Sequence, residues 1–163
     1  VGPPERRDAT VNHRYFIWGV AARMIAAAPL VGHGYGNFGH TFASFKGDPR
    51  TVAQLEQLSW SQRHDPTAYA HNEFLHTWVE IGLLGLVGLV GLIAVALVRS
   101  VSYLRRRGES FYFWGALAAL GVMLIHSAVS YPLRLPLNGS IFWILLGIII
   151  SLSRAGKISN MDT

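Results

Sequence analysis

The sequence predicts an all-α integral membrane protein, in which an outer segment of helix and loop leads into three transmembrane helices. Three observations predict it. First, of 163 residues 51% are hydrophobic and only 14% charged, far from the balance of an average soluble domain. Second, the apolar residues are unevenly placed: residues 1–75 are mixed and polar, whereas 76–153 carry long uncharged runs, so the chain meets two environments. Third, the chain opens on Val1 with no basic n-region, short apolar stretch and small-residue cleavage site, the start expected of a fragment or a processed product.

The outer segment begins with a helix expected from Thr10, as N-cap, to Ala28, closed by Pro29. Arg14, Trp18, Ala21 or Ala22, and Ile25 share one of its faces. The run GHGYGNFGHTF, residues 32–42, has four glycines in eight positions and reads as a tight loop rather than a long helix. Residues 46–70 read as a polar loop with a short helix around Thr51 to Leu58.

The first span, about 76–98, rests on IGLLGLVGLVGLIAVALV, residues 81–98, which has no charge or strong polar group and is long enough, with Phe74 to Glu80 before it, to cross a bilayer. A second span covers about 111–131 and a third, shorter, about 139–153, with residues 154–163 as a tail. Arg99, Arg105, Arg106 and Arg107 lie between the first two spans, and Arg154 and Lys157 follow the third. The positive-inside rule therefore puts those ends in the cytoplasm and residues 1–75 outside, in a bacterium the periplasm, with the tail cytoplasmic. Tyr103, Tyr112, Trp114, Tyr131 and Trp143 fall near span ends, as in an aromatic belt. The net charge of +5 sits largely beside the spans, so topology accounts for it and the uncharged spans contradict a soluble nucleic-acid binder. There are no cysteines, which excludes disulfides, thiolate nucleophiles and cysteine zinc sites.

His71 and Asn72 stand where the outer segment enters the first span. Asn72 can cap the helix, Glu73 complements its positive end, and His71 at the membrane surface can serve as a general base near neutral pH or be an ordinary interfacial histidine. Arg14 can snorkel from an apolar face beside Trp18 or offer its guanidinium fork to a phosphate. Arg23, Lys46, Arg50 and Arg63 read as solvated charges. His64, His71 and His76 lack metal-ligand spacing. Gly32-His33-Gly34-Tyr35-Gly36 has no following Lys-Ser/Thr and so is weak as a nucleotide loop. Gly82, Gly85, Gly88 and Gly91 make a small-residue stripe that suits close approach of another helix. Glu80 and His126 are ionisable groups at or inside spans, expected to face protein or a wet cavity rather than lipid. About 13 Å of helix separates Glu80 from His71, so no direct contact is expected.

Taken together, Arg14 with Trp18, the stretch AAAPLVGHGYGNF, then AHNEFLHTWVEIGLLG, and finally HSAVSYPLRLPLNGSIFWILLG resemble the O-antigen ligase family, in the family's order, over residues 10–153. That family includes lipopolysaccharide O-antigen ligases, O-antigen polymerases and bacterial protein O-oligosaccharyltransferases. The resemblance implies a metal-independent, cofactor-free, inverting glycosyltransferase at the periplasmic face of the bacterial inner membrane. Its donor would be an undecaprenyl-diphosphate-linked glycan and its acceptor a hydroxyl on lipid A-core, a growing glycan or a protein, with membrane lipid around it. His71 and Arg14 match the family's functional His and an essential Arg. Under that reading Asn72 holds His71, Arg134 of the outer loop closes over the site or anchors at the interface, and Gly34 and Tyr35 shape the substrate cleft or merely turn the chain, while Glu80 is a further substrate-binding candidate from its place near His71 rather than from a family match. Family members carry many more spans ahead of the outer segment and another functional Arg there, which implies a larger polytopic protein and a piece inactive alone. A rival of another class, a non-catalytic membrane subunit or transporter fragment, would leave His71 and Arg14 merely interfacial and put Glu80 or His126 on a transport path.

Overall fold

A computed structural model describes residues 4–48, 69–107 and 111–158, and all regular elements among them are helical. These are α1 (Pro4–Ala27), α2 (Phe38–Lys46), α3 (Glu73–Arg107), α4 (Phe111–Val129) and α5 (Pro136–Ile158), with a 3-10 turn at Pro132–Arg134. The helix expected around Thr51 to Leu58, together with Arg50, Arg63 and His64, lies outside the described residues. The chain divides into two compact units, Val1–Leu86 and Val87–Thr163.

In the first unit, α1 starts at Pro4, so Thr10 is inside the helix and not its cap. Proline suits a first helical position because its missing N–H would be unpaired there anyway. The helix stops at Ala27, where Pro29 disfavours the helical backbone of the residue before it. The glycine-rich loop holds for residues 32–37, but Phe38 opens α2. Phe38, Phe42 and Phe45 recur at helical spacing, and that apolar face outweighs the cost of Gly39. Phe38 and Phe42 bury against Phe16, Ile17, Val20, Ala21 and Met24 of α1, with Ala70 and Val79 completing the core. Ring contacts Phe16–Phe42 (6.3 Å, edge-on) and Phe38–Phe42 (5.8 Å, stacked) tie the helices.

Helix α3 is broken at Gly82, whose φ 73° and ψ −173° belong to a region open essentially to glycine alone. A break leaves carbonyls stranded before it and N–H groups stranded after it, and segment 29–34 takes up both. His33 and Gly34 donate to the carbonyls of Val79 (2.9 Å) and Glu80 (2.8 Å), while Leu83 and Leu84 donate to those of Pro29 (2.9 Å) and Leu30 (3.4 Å). Trp78 Nε1 also donates to Pro29 O (3.0 Å). The backbones are close enough that a Cβ on Gly82 would lie 2.2 Å from Leu30 O, and one on Gly32, itself at φ +70°, 2.5 Å from Glu80 O. Gly82 therefore leaves the expected stripe: what approaches it is a loop. At Gly88 and Gly91 nothing described lies within 4 Å of an added Cβ.

The helices α3, α4 and α5 are each long and apolar enough to cross a membrane, over Glu73–Arg105, Phe111–Val129 and Pro136–Ser153. Past the break at Gly82, the part of α3 from Leu83 to Arg107 is, at ~1.5 Å per residue, still longer than a hydrocarbon core of ~30 Å. In the second unit α4 packs on α5, with Leu120, Phe142, Leu146 and Ile149 buried, while Phe113 of α4 meets Tyr103 of α3 (ring centroids 4.3 Å). Helix α5 starts at Pro136, earlier than expected, and Gly139 lets it pass so near the 3-10 turn that a Cβ there would lie 2.7 Å from Leu133 O. Ser100, Ser127 and Ser140 return their hydroxyls to carbonyls one turn back, which keeps them paired within apolar helices. His126 sits on an exposed face in the last turn of α4, not packed inside this unit.

Gly82→Ala is expected to destabilise the solubilised protein by roughly 2 kcal/mol or more, since the side chain meets both a glycine-only backbone and the Leu30 carbonyl. Gly88→Ala, with open space at its Cβ inside a helix, should leave stability unchanged or raise it by up to about 1 kcal/mol. Thermal unfolding followed by helical circular dichroism in one detergent checks the pair.

Candidate functional site

The entry into α3 is built by Asn72. Its Oδ1 accepts the Leu75 N–H (2.9 Å) and its carbonyl accepts the His76 N–H (2.9 Å), the double role of an N-cap. Glu73 follows in the first turn, buried, where a carboxylate complements the helix dipole.

His71, just ahead of the cap, holds a left-handed backbone at φ 51°, unique among the described non-glycine residues. Histidine visits that region more readily than most side chains, at a cost of roughly 1–3 kcal/mol that the surroundings must meet. Asn72 fixes one side of it. Ala70 fixes the other, because its carbonyl accepts Trp18 Nε1–H (2.9 Å) and its N–H points at His76 Nδ1 (3.3 Å). The His71 side chain is left half-exposed.

Behind this turn lies a buried polar pair. His76 Nε2 is 3.1 Å from Glu80 Oε1, one helical turn on, and both side chains are 2% exposed. The same Oε1 accepts the Phe38 N–H (3.1 Å). Phe38 opens α2, where the N-cap Asn37 makes no side-chain capping bond, so Glu80 supplies from another helix the acceptor that α2 lacks locally. The His76 ring is stacked on Phe38 (4.5 Å between centroids) and on Tyr69 (5.8 Å).

The glycine-rich loop is tied down at its base. His33 Nε2 donates to Met24 O (2.8 Å) at the end of α1, and Asn37 Nδ2 donates to His33 O (3.1 Å). Gly34, at φ +98°, is held through its N–H on Glu80 O, and Tyr35 is 74% exposed beside it.

Of the residues expected from sequence, His71, Asn72, Arg14, Gly34, Tyr35 and Glu80 all belong to the first unit. Arg14 is half-buried on α1, one turn before the Trp18 that reaches Ala70. Glu80 is enclosed, with Oε1 engaged by Phe38 and His76, which makes it a brace between helices rather than a group presented at a surface. Arg134 lies in the second unit, half-buried in the 3-10 turn, its N–H on Tyr131 O. Sequence reasoning missed the parts played by His76 and Trp18. The four-residue spacing of His76 and Glu80, counted from an Asn72 cap, was the available signal for the first, and nothing in the sequence linked Trp18 to Ala70.

The family model for O-antigen ligase matches residues 4–90, just over half of the chain. No curated protein and no solved structure matches it.

Asn72→Ala is expected to cost about 1 kcal/mol and to speed exchange of the Leu75 amide, whereas Asn72→Asp should keep the cap. Hydrogen exchange of the first turns of α3 in detergent micelles measures both.

Proposed function

Because this chain belongs to the O-antigen ligase family, we propose that it serves the transfer of an undecaprenyl-diphosphate-linked glycan to a hydroxyl of lipid A-core at the periplasmic face of the bacterial inner membrane. The observation that supports this reading best is the junction of α1 with the His71 turn through Trp18 and Ala70, since Arg14 stands one helical turn before Trp18 and His71 has a left-handed backbone.

The chemistry asked of these residues is a single displacement. His71 takes the proton of the acceptor hydroxyl while that oxygen bonds to the anomeric carbon of the donor sugar. The bond from that carbon to the phosphate oxygen breaks, and its electron pair leaves with the lipid diphosphate. One displacement inverts the anomeric configuration. The leaving diphosphate is already stable as an anion, so the main electrostatic demand is charge neutralisation, the role of the Arg14 guanidinium. Asn72 keeps His71 at the helix entry, and the positive end of α3 favours an anion close by. Gly34 and Tyr35, exposed on a loop whose base is tied, are suited to line the path of a glycan. Extension of a glycan by a polymerase, or transfer to Ser or Thr of a periplasmic protein, uses the same chemistry with another acceptor.

In cells carrying the full-length protein, His71→Ala is expected to lower transfer by about 100-fold or more. Arg14→Lys, which keeps the charge but loses the planar fork, should lower it by a smaller factor. Lipopolysaccharide banding on gels reads both, and unchanged capping with His71→Ala would remove the base from the mechanism. Comparing lipopolysaccharide, polymer length and glycoproteins in a deletion strain separates the three acceptors.

A further inference from the structure

We propose that His76 and Trp18 are positioning residues that hold the backbone ahead of His71 in the one conformation from which its imidazole can act; this rests on the reading of His71 as the base. The peptide group of Ala70 is gripped at both ends by side chains from different helices. Trp18 of α1 donates to its carbonyl at 2.9 Å, and His76 of α3 accepts its N–H at 3.3 Å. An amide N–H can only donate, so the Nδ1 facing it carries no proton. The ring proton of the neutral imidazole is then on Nε2, where Glu80 Oε1 receives it at 3.1 Å. Phe38 N–H on the same oxygen fixes the carboxylate, and Phe38 and Tyr69 fix the plane of the ring. The result is one connected series of hydrogen bonds, from Trp18 through Ala70 and His76 to Glu80 and Phe38, spanning α1, α2 and α3.

Its end point is the residue before a left-handed histidine. At φ 51° the backbone of His71 gains nothing by itself from that conformation, and it relaxes unless both neighbouring peptides are held. Asn72 holds the following side as the cap of α3. On the preceding side, the hold on Ala70 comes from Trp18 and His76. Ala70 and His76 are both sealed from solvent, at 0% and 1% exposure, so water cannot replace the lost partner. Loss of either grip therefore removes a restraint on the peptide ahead of His71 and lets the imidazole drift out of line with its acceptor. Misplacement of a reacting group by about 1 Å costs up to about 100-fold in rate.

The test uses full-length protein in isolated membranes, with the undecaprenyl-diphosphate-linked glycan purified from the same strain as donor. His76→Phe keeps a ring between Phe38 and Tyr69 but removes both hydrogen bonds; Trp18→Phe removes only the indole N–H; His76→Asn restores an acceptor near the Nδ1 position. Both Phe variants are expected to lower kcat by about 10- to 100-fold with donor KM within about twofold, and His76→Asn to recover most of the loss. In a His71→Ala background His76→Phe should change residual transfer by less than about twofold, because there is no base left to misplace. Wild-type kcat in both Phe variants overturns the proposal, as does a His76→Phe loss equally large without His71. If His76→Phe does not accumulate, Trp18→Phe decides alone. Unchanged transfer with His71→Ala instead removes the base on which the proposal stands, a separate failure visible in the same set of strains.

Discussion

A helix that breaks near its entry into an apolar span must find new partners for the peptide groups it releases, and the architecture of the first unit follows from that requirement. Unpaired N–H and C=O groups cost several kcal/mol each in a hydrocarbon setting. At Gly82 they are satisfied by residues 29–34, a segment that is itself non-helical and has the same need. Two irregular stretches thus complete each other, and the glycines at Gly32 and Gly82 are what allow their backbones to meet. The loop's place against α3 brings Phe38 within reach of Glu80, and α2 follows from there.

Among the polar groups this arrangement encloses, Glu80 is shared between helices. Glu80 serves two helices with one oxygen, as acceptor for the first N–H of α2 and as partner of His76 on α3. An enclosed carboxylate with hydrogen-bond donors around it is tolerated where an isolated one is not. The aromatic layer of Phe16, Phe42, Phe38 and His76 runs continuously from α1 to α3, so the packing that stabilises the first unit also orients the His76 ring.

Much of this was legible in the sequence, and the gaps have physical causes. The three spans follow from uncharged length alone, and the cap at Asn72 from its position before a helical run with Glu73 next to it. The start of α1 was misjudged because a threonine before an apolar pattern looks like a cap, whereas Pro4 permits an earlier beginning. Gly82 was grouped with Gly85, Gly88 and Gly91 because spacing by three is visible and a left-handed backbone is not. His71 stood out through its place at the span entry and its family likeness. His76 and Glu80 lie one helical turn apart, a local pattern, but what ties them to the rest is a set of backbone partners: Ala70 lies 52 residues from Trp18 and Phe38 lies 42 from Glu80, separations that no local pattern records.

Those long separations bear on the order in which the molecule is assembled. Residues 29–38 are synthesised before residues 79–84, yet their hydrogen-bond partners lie in that later stretch. The N-terminal segment therefore has to wait, with its loop unfinished and α2 without its acceptor, until residues 79–84 have emerged and bent at Gly82. The start of α3 acts as the template and the segment ahead of it as the cast, so the surface that carries His71 is completed only after the later stretch has been made.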